Sequence, residues 1–134
     1  MISRSTRVLA VTATIAVALG AGRMASAHHS FAAFDMTSEK TISGVVKKVD
    51  WTNPHIWIWV DVTEASGTTE TYGFEGMTPN FLSRRGWTRN SMQPGMKVSV
   101  TFRPMKDGKP GGMFVSGTLP DGKVLTMRGG DTGQ

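Results

Sequence analysis

The chain has 134 residues, with 15 basic and 10 acidic side chains, a formal charge of +5, four tryptophans and no cysteine. That cysteine count excludes disulfides, thiolate metal sites, catalytic thiols and haem attached through cysteine. Arg4, Arg7 and Arg23 fall among the first 27 residues, which hold no acid, so the remaining 107 residues carry 12 basic against 10 acidic groups and call for no polyanion-binding patch.

The first 27 residues read as a cleaved signal peptide. A short basic start with Arg4 and Arg7 precedes an apolar run from Val8 to Gly20 and the small-x-small sequence Ala25-Ser26-Ala27. The run is shorter than the roughly 20 residues a transmembrane helix needs. A retained anchor is the weaker alternative. Cleavage after Ala27 would start the mature protein at His28 and leave one small domain, exported to the bacterial periplasm or secreted.

Residues 28–40 form an N-terminal segment in which Phe31 and Phe34 are expected to dock rather than trail in solvent. A barrel domain is expected over residues 41–127. Its first strand runs from Thr41 to Trp51, with Gly44 suited to a bend or bulge. Asn53-Pro54 makes a turn, and a second strand runs from His55 to Val62. Ile56, Ile58, Val60 and Val62 alternate there with His55, Trp57, Trp59 and Asp61, the period-two pattern of a half-buried strand. Thr69 to Glu75 is a third strand, with Tyr72 and Phe74 on one face.

The pattern then changes. Thr78 as N-cap, Pro79 at the first helical position and Gly86 as stop predict a short helix. Strands four and five are expected from Met96 to Arg103 and from Met113 to Leu119, joined by an Asp-Gly turn at residues 106–109. Lys123 to Met127 is a short extra strand, and residues 128–134 a polar tail. The fold class is therefore all-β: an antiparallel OB-like Greek-key barrel of five to six strands with one short helix between strands three and four. A plain sandwich or lipocalin-like half barrel fits the strand count less well.

Trp51-Thr-Asn-Pro-His55 and Arg84-Arg-Gly-Trp87, together with His28-His-Ser-Phe31, carry a resemblance. The chain resembles a domain-of-unknown-function family of small exported bacterial proteins, over nearly all of residues 28–127. The resemblance implies an exported bacterial location and supplies no catalytic residues. In outline the chain is also similar to periplasmic single-domain OB-fold proteins, which speaks to architecture alone.

Three chemistries compete. All three histidines, His28, His29 and His55, lie at the expected mature terminus or beside strand two. A terminal His28 offers both an amine and an imidazole, and His55 a further nitrogen, a set that suits Cu(II) and resembles the histidine brace of periplasmic copper proteins. Met36, Met77 and Met113 are candidate soft ligands for Cu(I). The structural alternative is a loose tail and a strand-edge histidine packed on Trp57. Second, Trp51, Asn53, Trp57, Trp59, Arg84, Arg85 and Trp87 are candidates for a surface that takes a small ligand or a periplasmic protein partner. Nucleic acid is not expected, given export and the near-balanced charge. The structural alternative for Arg84 to Trp87 is that Trp87 packs back after the Gly86 stop while the arginines either pair with Glu75 and Asp50 or face solvent. Third, catalysis finds no support, because no acid–base, nucleophile or Walker motif is present, so the chain reads as a binding protein and not an enzyme.

Overall fold

The alternation along residues 56–62 becomes a strand whose two faces meet different surroundings. Ile56, Ile58 and Val60 are fully buried, while His55, Trp57, Trp59 and Asp61 lie half-buried on the opposite side. The structure is a computed structural model that describes residues 31–127. The expected leader, His28, His29 and the tail at 128–134 lie outside those residues. From Phe34 onward the described residues form one compact unit, which holds every described strand.

Among the described residues six strands follow in order: β1 Lys40–Asp50, β2 Trp57–Thr63, β3 Thr69–Glu75, β4 Lys97–Pro104, β5 Gly111–Thr118 and β6 Val124–Thr126. The helix α1, Pro79–Ser83, lies between β3 and β4. They form one sheet in the order β3-β2-β1-β4-β5-β6, and β3 also pairs with β5. That last pairing is parallel and closes the strip into a five-stranded Greek-key barrel, with β6 as an addition outside the closed ring. The OB-like architecture expected from the sequence is the one observed.

β1 is long because it serves two neighbours. Residues 40–45 pair with β4 and residues 45–50 with β2. The bend expected at Gly44 falls elsewhere: the register with β2 slips between Val46 and Lys48. Gly44 instead meets a neighbour, since a Cβ there would lie 2.7 Å from the Val60 Cγ1. Barrel closure is short, with three paired positions, Gly73 with Gly111, Phe74 with Gly112 and Glu75 with Met113. Gly111 has φ +129°, and a Cβ on it would overlap the Gly73 carbonyl. Only glycine fits there.

Inside, Phe74 and Phe102 meet at 4.9 Å between ring centres, and Tyr72 packs edge-on to Phe102 at 6.2 Å. The helix caps the end where β3 finishes. The Thr78 hydroxyl accepts from the Phe81 amide at 3.2 Å, Pro79 occupies the first turn, and the chain reverses at Gly86 with φ +80°. Leu82 and Trp87 then enter the core. Trp87 is 4% exposed, lies edge-to-face on Phe114 at 5.6 Å and donates from Nε1 to the Thr126 carbonyl at 3.1 Å.

The segment before β1 docks through one of its two aromatics. Phe34 is 2% exposed and bridges to Met105, and the Asp35 amide donates to the Pro104 carbonyl at 2.8 Å. Phe31 is 52% exposed, so the expectation of docking holds for Phe34 alone.

Candidate functional site at the head of strand β2

His55 precedes the first ladder residue of β2, yet its backbone is held. The next residue, Ile56, is wholly buried, donates to the Met77 carbonyl at 3.1 Å and accepts from the Gly76 amide at 2.9 Å. The β2–β3 register sets Trp57 directly opposite Glu75. His55 stands two residues before Trp57 on the same face, so it reaches Glu75 on the diagonal. The His55 Nδ1 is hydrogen-bonded to Glu75 Oε1, with a third of the histidine side chain exposed. A carboxylate on Nδ1 fixes the ring and presents Nε2 as the nitrogen open to a ligand.

The row continues across the barrel seam. Met113 pairs with Glu75 in the parallel β3–β5 ladder and is half-buried, while its neighbours Gly112 and Phe114 are buried. His55, Glu75 and Met113 therefore line one outward row at the head of β2, β3 and β5. Of the other candidate thioethers, Met77 packs against the core. Met36 is exposed, with its sulfur 3.7 Å from an Arg103 nitrogen. Among the described residues no three His, Cys, Asp or Glu side chains cluster as a metal site. A site at His55 needs donors from His28 and His29, which lie outside them.

The tryptophans separate by role. Trp57 and Trp59 stack on the outer face at 5.6 Å, 20° from parallel. Trp59 is pinned: its Nε1 donates to Asp50 Oδ2 at 2.8 Å, Lys48 Nζ stands 5.3 Å over its ring, and the ring covers Gly73. Lys48, first, and the Trp59 N–H hold the Asp50 carboxyl below its ordinary range. At the far end of the same face Asp61 accepts from Thr71 and Lys47, which lower its pKa in turn. Trp51 is half-buried and packs on the core, and Asn53 is exposed ahead of a cis bond to Pro54.

Trp87 packs back as its structural reading expects, and so leaves the candidate surface set. Its indole fills the capped barrel end and is no part of a surface, because an apolar ring with one N–H is satisfied there by Phe114 and a single carbonyl. Arg84 and Arg85 are exposed, and the Arg85 guanidinium lies 3.5 Å over the Phe81 ring and reaches the Phe81 carbonyl. The candidate surface set therefore does not form one patch around Trp87.

The sequence reading missed Glu75 as the partner of His55. They stand 20 positions apart with no local signal linking them, and only the β2–β3 register brings them together.

Comparison with protein families decides membership. The model of a family described as a family of unknown function, DUF6152, matches residues 16–114. The chain belongs to the DUF6152 family. Comparison with curated proteins gave no match. Among solved structures, the DUF6152 chain is similar to a mitochondrial single-stranded DNA binding protein from S. cerevisiae, Rim1, with 13% identity and a TM-score of 0.46, covering 62% of this chain and 94% of that one. Among the described residues of the DUF6152 protein, no helix is long and apolar enough to cross a membrane.

Proposed function

We propose that this DUF6152 protein is an exported, non-catalytic binding protein of the bacterial periplasm that holds one copper ion at the head of β2. The ligands are His28, through its α-amine and ring, with His29 and His55. The observation that carries this reading is the hydrogen bond between His55 Nδ1 and Glu75. Metal-bound histidines characteristically give their second nitrogen to a carboxylate, which orients the ring and raises its basicity. Met113, one strand further along the same row, supplies a thioether for the reduced ion.

The test uses chain that begins at His28. It is expected to take up one Cu(II), seen by calorimetry and by an electron paramagnetic resonance signal of nitrogen ligation. His28→Ala and His55→Ala should each abolish tight uptake, and Glu75→Gln should weaken it about 10–100-fold. One extra glycine before His28 removes the chelate ring and should act like His28→Ala. Uptake that ignores all four changes overturns the reading.

A second reading rests on a separate observation, the stacked Trp57–Trp59 pair with Trp59 locked by Asp50. A fixed aromatic pair on the outside of a barrel suits a small ligand or a side chain of a periplasmic protein partner. Indole fluorescence separates the two. Quenching by Cu(II) that a chelator reverses belongs to the metal. A saturable change on adding soluble envelope extract that the chelator leaves in place belongs to the aromatic face.

A further inference from the structure

The two ends of the barrel are finished differently. Where β3 ends, α1 and Trp87 plug the opening. At the opposite end β3 begins at Thr69, whereas β5 joins it only at Gly73 opposite Gly111. Beside residues 69–72 the wall is completed by the β4–β5 loop, residues 105–110, and not by a strand. A cavity of about 170 Å³ lies there, lined by residues of β1, β3, β4, this loop and Gly111 at the start of β5.

Its chemistry is divided. Ile42, Phe102, Pro104 and Pro110 supply apolar wall, and Tyr72 lies edge-on to Phe102. Two lysines and one carboxylate, Lys40, Lys109 and Glu70, stand at the lining. Lys109 is already engaged with Asp107 at 3.0 Å. Among the described residues neither Lys40 nor Glu70 makes an ion pair. Burial first, then the charges of Glu70 and Glu64 and a hydrogen bond to Glu70, push the Tyr72 pKa up from 10.0, so its phenol is a neutral donor to the Glu70 carboxylate at physiological pH.

The geometry points to a binding site in this cavity for a free α-amino acid with a small apolar side chain, its carboxylate on Lys40, its ammonium on Glu70 and its side chain against Phe102 and Ile42. A cation and a carboxylate across an apolar pocket, neither in an ion pair among the described residues and the carboxylate hydrogen-bonded by the Tyr72 phenol, match a zwitterion better than a plain acid or amine. Size agrees. A cavity of about 150 Å³ accepts benzene, so this one accepts a molecule of valine or leucine scale. The site is separate from the head of β2 and does not depend on copper, for its residues come from the other end of β1 and β3.

The test is a nuclear magnetic resonance titration of the whole domain with L-leucine, 4-methylpentanoate and 3-methylbutylamine, three probes with one branched carbon skeleton. L-leucine is expected to shift the Gly108 and Gly111 amide signals saturably. The acid without the amine and the amine without the acid should each bind at least about tenfold more weakly, a difference of about 1.4 kcal/mol. Lys40→Gln and Glu70→Gln should each cost a similar factor, with the remaining spectrum unchanged. Ile42→Trp fills the cavity while keeping both charges, and should abolish binding. The proposal is overturned if L-leucine leaves Gly108 and Gly111 unmoved, if 4-methylpentanoate binds as well as L-leucine, or if Ile42→Trp binds like the parent.

Discussion

Gly111 faces two constraints at once, a left-handed φ of +129° and the Gly73 carbonyl where a Cβ would go. Gly108, three residues earlier, shares only the first, with φ +76° and open space around it. Gly108→Ala should therefore cost about 1–2 kcal/mol, the ordinary price of a left-handed alanine. Gly111→Ala adds a backbone overlap and should cost upwards of about 3 kcal/mol. Urea unfolding of the two variants measures the difference, and equal costs would refute the steric account. Neither constraint was legible in residues 111–112, which read as the approach to a strand at Met113. The same holds for His55. Its place at the mouth of β2 follows from Asn53-Pro54 and the alternation after it, but its carboxylate partner depends on which residue of β3 lies opposite Trp57, and that is decided by pairing over a distance.

At the scale of elements, the local patterns carried well wherever one segment determines its own form. Ile56, Ile58 and Val60 face inward as the alternation requires, and Thr78, Pro79 and Gly86 begin and end the helix. Thr78→Ala removes the acceptor for the Phe81 amide and should cost about 1 kcal/mol in thermal unfolding, whereas Thr78→Ser should be near neutral. The turn before β1 makes a pH-dependent contribution. The Asp35 carboxylate accepts from the Thr37 hydroxyl, the Ser38 hydroxyl and the Thr37 amide, and these pull its pKa from 3.8 down to about 2. Because the folded value is the lower one, its contribution is whole above about pH 4 and is lost as pH falls toward 2. Asp35→Asn should thus be less stable than the parent at pH 6, with the gap closing by about pH 2. A gap independent of pH would contradict this assignment. Trp87 shows where element-level reading ends: a tryptophan after a helix stop looks the same whether it faces a partner or the core, and Phe114 and Thr126, which settle the matter, lie 27 and 39 residues away.

Over the whole molecule, strand count and helix position were enough to choose the barrel, since three strands, a helix and two strands have few ways to bury their apolar faces. The unequal ends were not legible, because they follow from how far β3 runs past the start of β5. Four of the five ring contacts are long antiparallel ladders, and the fifth is the three-residue parallel seam between β3 and β5. The β1–β2, β2–β3 and β4–β5 ladders join sequence neighbours and assemble early. The long-range pairings are β1–β4, between residues 52 to 62 apart, and the seam, 38 apart, and the three-pair seam closes on the curled strip that the longer ladders make. Interactions made after the folding barrier govern the rate of leaving the native state and not the rate of reaching it. The seam is then a latch. Gly111→Ala should leave the refolding limb of a chevron plot almost unchanged and steepen the loss through faster unfolding, so that its half-life, more than its speed of folding, records the damage. A short closure makes this barrel's persistence a matter of three residue pairs.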